Sequence, residues 1–383
     1  MLAGAAATPR PERMDELSMR IASTSTPAPP ARRPRAGAVA GVTVALLVGL
    51  AWLLAGCGGD SAAAVDRYGG SLNHLHDMLA LRGVAHTVLL ASHIGLYRTA
   101  NDGQSWQEVA GGSGQAMDGL MLFKLAQSPV DAQRVYVLAI PRPDNPKAAR
   151  ATPGIYTSAD AGRTWVLAAA LSAFPASGVY SLGTGASGTG EVFVTIPSLG
   201  NVGVYASDDA GKHWHALPPA PTGNPSGILG DPAQPLRLYL WSVSDGLFTS
   251  GDGGATWSRA GGVSGGIFSV SVAGDMVYAS GGAGLYVSSD GGATFRLTDA
   301  RDTFSAVAAG QSNPTHAYAL TGAAVFVSGD GGVTWQSGGA TSRHPGVLTV
   351  DPSDAGTAYV GFSYPIGVAI TTSGGTSWRN VLS

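Results

Sequence analysis

Residues 266–298, GIFSVSVAGDMVYASGGAGLYVSSDGGATFRLT, alternate apolar and polar side chains in short runs separated by glycine- or aspartate-bearing turns. A period of two marks strands with one buried face, and such runs between turn residues mark hairpins. The segment therefore predicts four strands, a to d in chain order, with the octet SSDGGATF (288–295) on the c–d hairpin. Nearly the same octet occurs six more times: TANDGQSW from 99, SADAGRTW from 158, SDDAGKHW from 207, SGDGGATW from 250, SGDGGVTW from 328 and TTSGGTSW from 371. The closing aromatics, Trp106, Trp165, Trp214, Trp257, Phe295, Trp335 and Trp378, are separated by 59, 49, 43, 38, 40 and 43 residues. A repeat near 40 residues, each a four-stranded unit unable to bury its own face, predicts an all-β protein. The expected fold is a single seven-bladed β-propeller over 71–383 with four-stranded antiparallel blades ending near 112, 170, 218, 261, 298, 338 and 383. Each blade reads as contiguous, with no strand exchanged between the chain ends.

Within an octet, Asp252 is placed to accept hydrogen bonds from turn amides. Gly254 supplies a backbone conformation that other residues resist. Trp257 offers an apolar face for packing beneath the turn. Asp160, Asp209, Asp290 and Asp330 stand at the aspartate position of their copies, whereas Asn101 and Ser373 replace it in the first and last. Asp102 is the candidate to compensate for Asn101. This pattern resembles the Asp-box, or BNR, repeat, Ser/Thr-x-Asp-x-Gly-x-Thr-Trp/Phe. Bacterial sialidases, xyloglucan hydrolases, sortilin-type receptors and a photosystem II assembly factor contain that repeat. The resemblance implies propeller blades whose octets lie away from any catalytic site, so the octets are structural and name no ligand.

The N-terminal part obeys other rules. Residues 1–35 are rich in Ala, Pro, Ser and Thr, and Met14 and Met19 are alternative start positions. Arg32, Arg33 and Arg35 precede an uncharged run from Ala36 to Gly56, the arrangement of an export signal. The run ends Leu54–Ala55–Gly56–Cys57, which resembles a bacterial lipobox and implies lipidation of Cys57. An uncleaved membrane-spanning helix over 36–57 is the other reading, since about 20 apolar residues span a bilayer. Either places the domain beyond the 58–70 linker outside the cytoplasmic membrane, attached only through that lipid or helix. Cys57 is the only cysteine, so no disulfide is available.

Beyond Cys57 the chain carries 16 Lys and Arg against 22 Asp and Glu. A mildly acidic domain with no basic stripe argues against a nucleic-acid partner. The expected partner is a glycan or a protein, bound on the face opposite the octets.

That face gathers the d–a connections and b–c loops. His74 and His76, two apart in LNHLHDMLAL, project to one side of a strand, and His93 in ASHIGLY falls on the b–c loop of the same blade. Asp118 opens blade two, and Arg343 precedes blade seven beside His344. These five groups are predicted to converge at the channel mouth as a ligand site or as polar side chains of a wet channel. No cofactor is expected, but a transition metal such as zinc suits His74, His76 and His93. The same histidines, with Gly95 and Leu96, resemble the start of a bacterial Asp-box family labelled glycosyl hydrolase, although fold does not fix function. The insertion 139–154 in blade two carries Arg142, Lys147 and Arg150, either a clasp for a ligand or a solvated loop. Trp241 either stacks on a sugar or packs in the core.

Glycosidases use two carboxylates flanking the scissile bond. Only Glu108 and Glu191 lie beyond Cys57, and neither is placed for the channel mouth, which disfavours a sialidase. A xyloglucan hydrolase is expected to have two propellers, whereas one is expected here; an Asp pair such as Asp118 with Asp245 is conceivable as its carboxylates. The preferred expectation is an exported, lipid-anchored binding or assembly module, with a glycoside hydrolase as the alternative.

Overall fold

The computed structural model describes residues 73–175, 179–196, 203–339, 341 and 343–382. The segments 1–35, 36–57 with Cys57, and 58–70 lie outside the described residues. Seven four-stranded antiparallel sheets form the blades of a β-propeller. Each takes its strands consecutively from the chain, over 75–110, 120–170, 181–216, 227–259, 267–299, 306–337 and 347–382. Strand a of blade one packs beside strand a of blade seven, which closes the ring. Among the described residues no helix is long and apolar enough to cross a membrane.

The octets form turns held by their own side chains. Ser250 donates its hydroxyl to Asp252 Oδ1 (2.7 Å) and accepts the Gly254 amide (2.8 Å). Asp252 also accepts the amide and hydroxyl of Thr256 at 2.9 and 2.5 Å. The same bonds recur around Asp160, Asp290 and Asp330, and around Asp209 with His213 in place of the threonine. Asn101 keeps the pattern unaided, accepting from Thr99 and from the Ser105 amide. Ser373 exchanges hydroxyl contacts with Thr371 and Ser377. Asp102 does not stand in for the missing carboxylate. It takes bonds from His86 Nδ1 (2.7 Å) and from the Tyr359 hydroxyl of blade seven (2.6 Å). Gly254 lies at φ +88°, and a Cβ there would approach Leu217 Cδ1 to 2.8 Å, so both conformation and space require glycine.

The octet aromatics explain why the motif repeats once per blade. The core is divided into seven apolar clusters set along the seams between blades, and each contains or abuts one of these rings. Trp165, Phe295 and Trp335 are buried; Trp106, Trp214, Trp257 and Trp378 are half-buried. Strand b adds a second tie. The hydroxyls of Tyr239, Tyr278 and Tyr318 donate to backbone carbonyls of the following blade, at Gly291, Pro314 and Ala355.

Candidate functional site at the channel mouth

With the octets on the c–d turns, the b–c loops and d–a connections occupy the opposite face. There a cavity of about 570 Å³ is lined by residues of blades one, two, six and seven, including His74, His76, Phe123, His344 and Tyr364. Two smaller cavities, of about 370 and 390 Å³, lie between neighbouring octets and are lined mainly by turn residues such as Asp330, already engaged in the turn.

The three histidines come together through strand pairing and one irregularity. The His74 carbonyl accepts the His93 amide at 3.0 Å, extending the ladder between strand a (Leu75–Ala80) and strand b (Val88–Ser92) of blade one. Their rings stack with centroids 4.8 Å apart. His76 occupies a bulge, for the pairing shifts register between Leu75 and Asp77. A bulge leaves one residue unpaired and re-aims its side chain. The His76 ring lies 4.5 Å from that of His74 and 6.0 Å from that of His93. One ring nitrogen from each of the three lies within 4.8 Å of those of the other two.

Burial governs the protonation of His76 and His93. Desolvation holds His76 well below the ordinary histidine value, reinforced by His74, His93 and Lys124. His93 is also lowered, because its burial outweighs the opposing bond to Asp144. That bond joins His93 Nε2 to Asp144 Oδ1 at 2.7 Å. Burial pushes the Asp144 carboxyl up, but the hydrogen bond and charge of His93, with Arg142, outweigh it and leave the group below the usual range. Asp144 is thus an anion accepting Nε2–H from a neutral imidazole. Among the described residues, His93 Nδ1 and His76 Nε2 are both buried without a hydrogen-bond partner.

The other sequence candidates sit elsewhere. Asp118 does not line the cavity: its Oδ2 accepts the Gly114 amide, and its carbonyl accepts the amides of Arg150 and Ala151. It therefore fastens the blade-two insertion. Arg343 is drawn aside, donating to the Pro365 carbonyl and lying over the Phe362 ring at 5.1 Å. Arg142 approaches the site only indirectly, with Nε 3.7 Å from Asp144 Oδ1. Glu191 accepts the Ser187 amide, and Asp245 accepts the hydroxyls of Thr222 and Ser242. Trp241 packs against the blade four–five core across Gly227, where a Cβ would strike its ring. Among the described residues that line the cavity there is no Asp or Glu.

No protein-family model matches the sequence, and no curated protein matches it. Solved propellers share its fold. A GH74 enzyme from Niastella koreensis superposes with TM-score 0.66 at 17% identity, over 82% of this chain and 55% of that one. A GH74 xyloglucanase from Xanthomonas campestris gives 0.62 at 19%, over 81% and 53%. YCF48 bound to a D1 peptide gives 0.51 at 12%, over 70% and 83%. This chain thus spans about half the length of the GH74 enzymes it resembles.

Sequence reasoning missed four groups that shape the site. Asp144 lies in the same insertion as Arg142, Lys147 and Arg150. Phe123 sits on a bulge between Leu122 and Lys124, the blade-two counterpart of His76, and the two rings are 5.4 Å apart. Tyr180 meets Phe123 at 6.4 Å, and Tyr364 stacks on His74 at 5.3 Å. Both tyrosines are well exposed, at 41 and 40%. Aromatic residues within or just ahead of strand a, or in a b–c loop, are the available signal, and it recurs in blades two, three and seven.

Proposed function

We propose that this chain is an exported, lipid-anchored Asp-box propeller that binds a glycan across the channel mouth. The carrying observation is the continuous aromatic surface Tyr364–His74–His76–Phe123–Tyr180, which runs from blade seven through blades one and two to blade three. Sugar rings present apolar C–H faces and polar rims. Flat aromatic rings with a few polar groups at their edges suit such a ligand, as in most small-molecule pockets. Tyr364 holds a left-handed backbone at φ +58°, a costly conformation for a tyrosine and one that concentrates at ligand sites. The likeness to GH74 propellers supports a polysaccharide as ligand. Binding is preferred to hydrolysis because the cavity lining supplies no carboxylate pair.

Calorimetry with xyloglucan oligosaccharides, beside a wider glycan array, tests this reading. Phe123→Ala and Tyr364→Ala should each weaken binding about 10-fold, roughly 1.4 kcal/mol. Peptide binding without any glycan binding would replace the glycan by a protein ligand, the reading that the peptide-bound YCF48 favours. Reducing ends released from the oligosaccharide would instead establish hydrolysis. The anchor is tested separately: Cys57→Ser should abolish incorporation of labelled fatty acid and leave a precursor of unchanged mass. Equal labelling of the variant would remove the lipid and leave the spanning helix.

A further inference from the structure

We propose that His74, His76 and His93 bind one transition-metal ion, with Asp144 as the positioning residue and the remaining coordination position open to the cavity. This inference deepens the binding-site reading and concerns the same face.

Two buried nitrogens without partners carry it. His93 Nδ1 and His76 Nε2 are each withdrawn from water and find no donor or acceptor among the described residues. A buried polar atom left unmatched costs about 1–3 kcal/mol, so two of them on neighbouring rings, with centroids 6.0 Å apart, need a reason. A cation supplies one, because an unprotonated imidazole nitrogen is a ligand. The Asp144 bond fixes which nitrogen of His93 is free: Nε2–H is held at 2.7 Å by the carboxylate, so the lone pair sits on Nδ1. A carboxylate holding the far nitrogen of a ligating histidine is a recurring arrangement around zinc, and it also raises the basicity of the ligand.

The distances need a modest adjustment. Tetrahedral zinc with bonds of about 2.0–2.1 Å sets ligand nitrogens roughly 3.3 Å apart, against the 4.8 Å span here. His93 is clamped by Asp144, so the half-buried His74 and His76 are the rings that must turn toward it. A three-histidine set leaves a fourth position, and His74 and His76 both line the cavity, where water or a ligand hydroxyl would occupy that position. Imidazole donors favour zinc, copper, nickel or cobalt over calcium or magnesium.

The test uses the full chain, stripped with a chelator and titrated with zinc chloride by calorimetry, and with cobalt(II) chloride by visible absorption. One equivalent should bind, and cobalt should give the intense visible bands of a four-coordinate site. His93→Ala should abolish the titration, and Asp144→Asn should weaken zinc binding about 10- to 100-fold with unchanged stoichiometry. His213→Ala, which removes an exposed histidine on an octet, should leave it unchanged. If His93→Ala fails to fold, the cobalt spectrum of the parent protein and the Asp144→Asn affinity still decide. A cobalt spectrum of the hexa-aqua type, or zinc binding equal in the parent and Asp144→Asn proteins, overturns the proposal. Glycan binding by the stripped protein without zinc binding would retain the function proposed above and reject the metal. Zinc binding without any glycan would do the reverse.

Discussion

At the scale of single residues, the octet aspartates show how exposed groups stabilise a fold. Asp252 and Asp330 are held at about 2, chiefly by the hydroxyl and amide of Thr256 and Thr334. Asp290 is also held at about 2, by Ser288 first and then Thr294. The ordinary value is 3.8, so each carboxylate is bonded more strongly when ionised in the folded chain than in the unfolded one. A lowered folded-state value gives stability that is complete above about pH 4 and is lost as pH falls toward 2. Denaturant midpoints should therefore drop through that window. In a protein carrying Asp252→Asn, Asp290→Asn and Asp330→Asn the drop should be shallower, whatever the stability at pH 7. Identical slopes would mean that these turns do not depend on ionised side chains. His316, lowered mainly by burial, loses its contribution as pH falls below its ordinary 6.5, as do His76 and His93, so the histidine losses begin at higher pH than those of the aspartates.

At the scale of strands and turns, legibility in the sequence tracks periodicity. The octets announce every c–d hairpin because left-handed turns demand particular residues. Their fourth position is left-handed even where it is Asp102, Ala161 or Ala210, so the turn geometry outlasts its preferred glycine. Alternating runs announce the four-stranded sheets. The bulges at His76 and Phe123 leave no such trace, since an unpaired residue changes the partner strand's register and not the local pattern. His74, His76 and His93 are nevertheless legible as neighbours, because two of them stand two apart at the start of strand a and the third follows strand b of the same blade. Asp144 is not legible. Its place depends on how a 12-residue b–c connection, between Pro141 and Gly154, folds back over blade one, and nothing in its composition dictates that path. The strand-b tyrosines are a weaker repeat that the octets overshadow. Tyr136, Tyr239, Tyr278, Tyr318 and Tyr359 occupy one register, and four of them donate to the next blade.

At the scale of the whole molecule, ring closure is the distinctive weakness. Six seams are bridged by the chain itself, whereas among the described residues blades one and seven meet with no strand of either inserted into the other's sheet. Their seam relies on side chains: Tyr359 to Asp102 at 2.6 Å, the Ala80 amide to Thr349 Oγ1 at 3.0 Å, and the Leu75 amide to Ser363 Oγ at 3.1 Å. An apolar cluster that includes Met78, Val88 and Leu90 of blade one with Ile366, Val368 and Ile370 of blade seven fills the rest. Opening this seam requires no blade to unfold, so its free energy should lie below that of global unfolding. Amide exchange should accordingly be faster in strand a of blades one and seven than in the corresponding strand of blade four. Thr349→Val removes the acceptor from a buried amide while keeping the side chain's shape, and should lower stability by about 1–3 kcal/mol. It should also speed exchange selectively in blades one and seven. Tyr239→Phe removes an equivalent tie, to Gly291, at a seam the chain already bridges, and should leave the exchange pattern of blades one and seven unchanged. Equal acceleration by both variants throughout the ring would show that the propeller opens only by unfolding as a whole. The histidine site shares blade one's strand a with this seam, and Tyr364 of blade seven stacks on His74 across it. A ligand bridging Tyr364 and Phe123 would therefore slow exchange there first, tying occupancy of the channel mouth to closure of the ring.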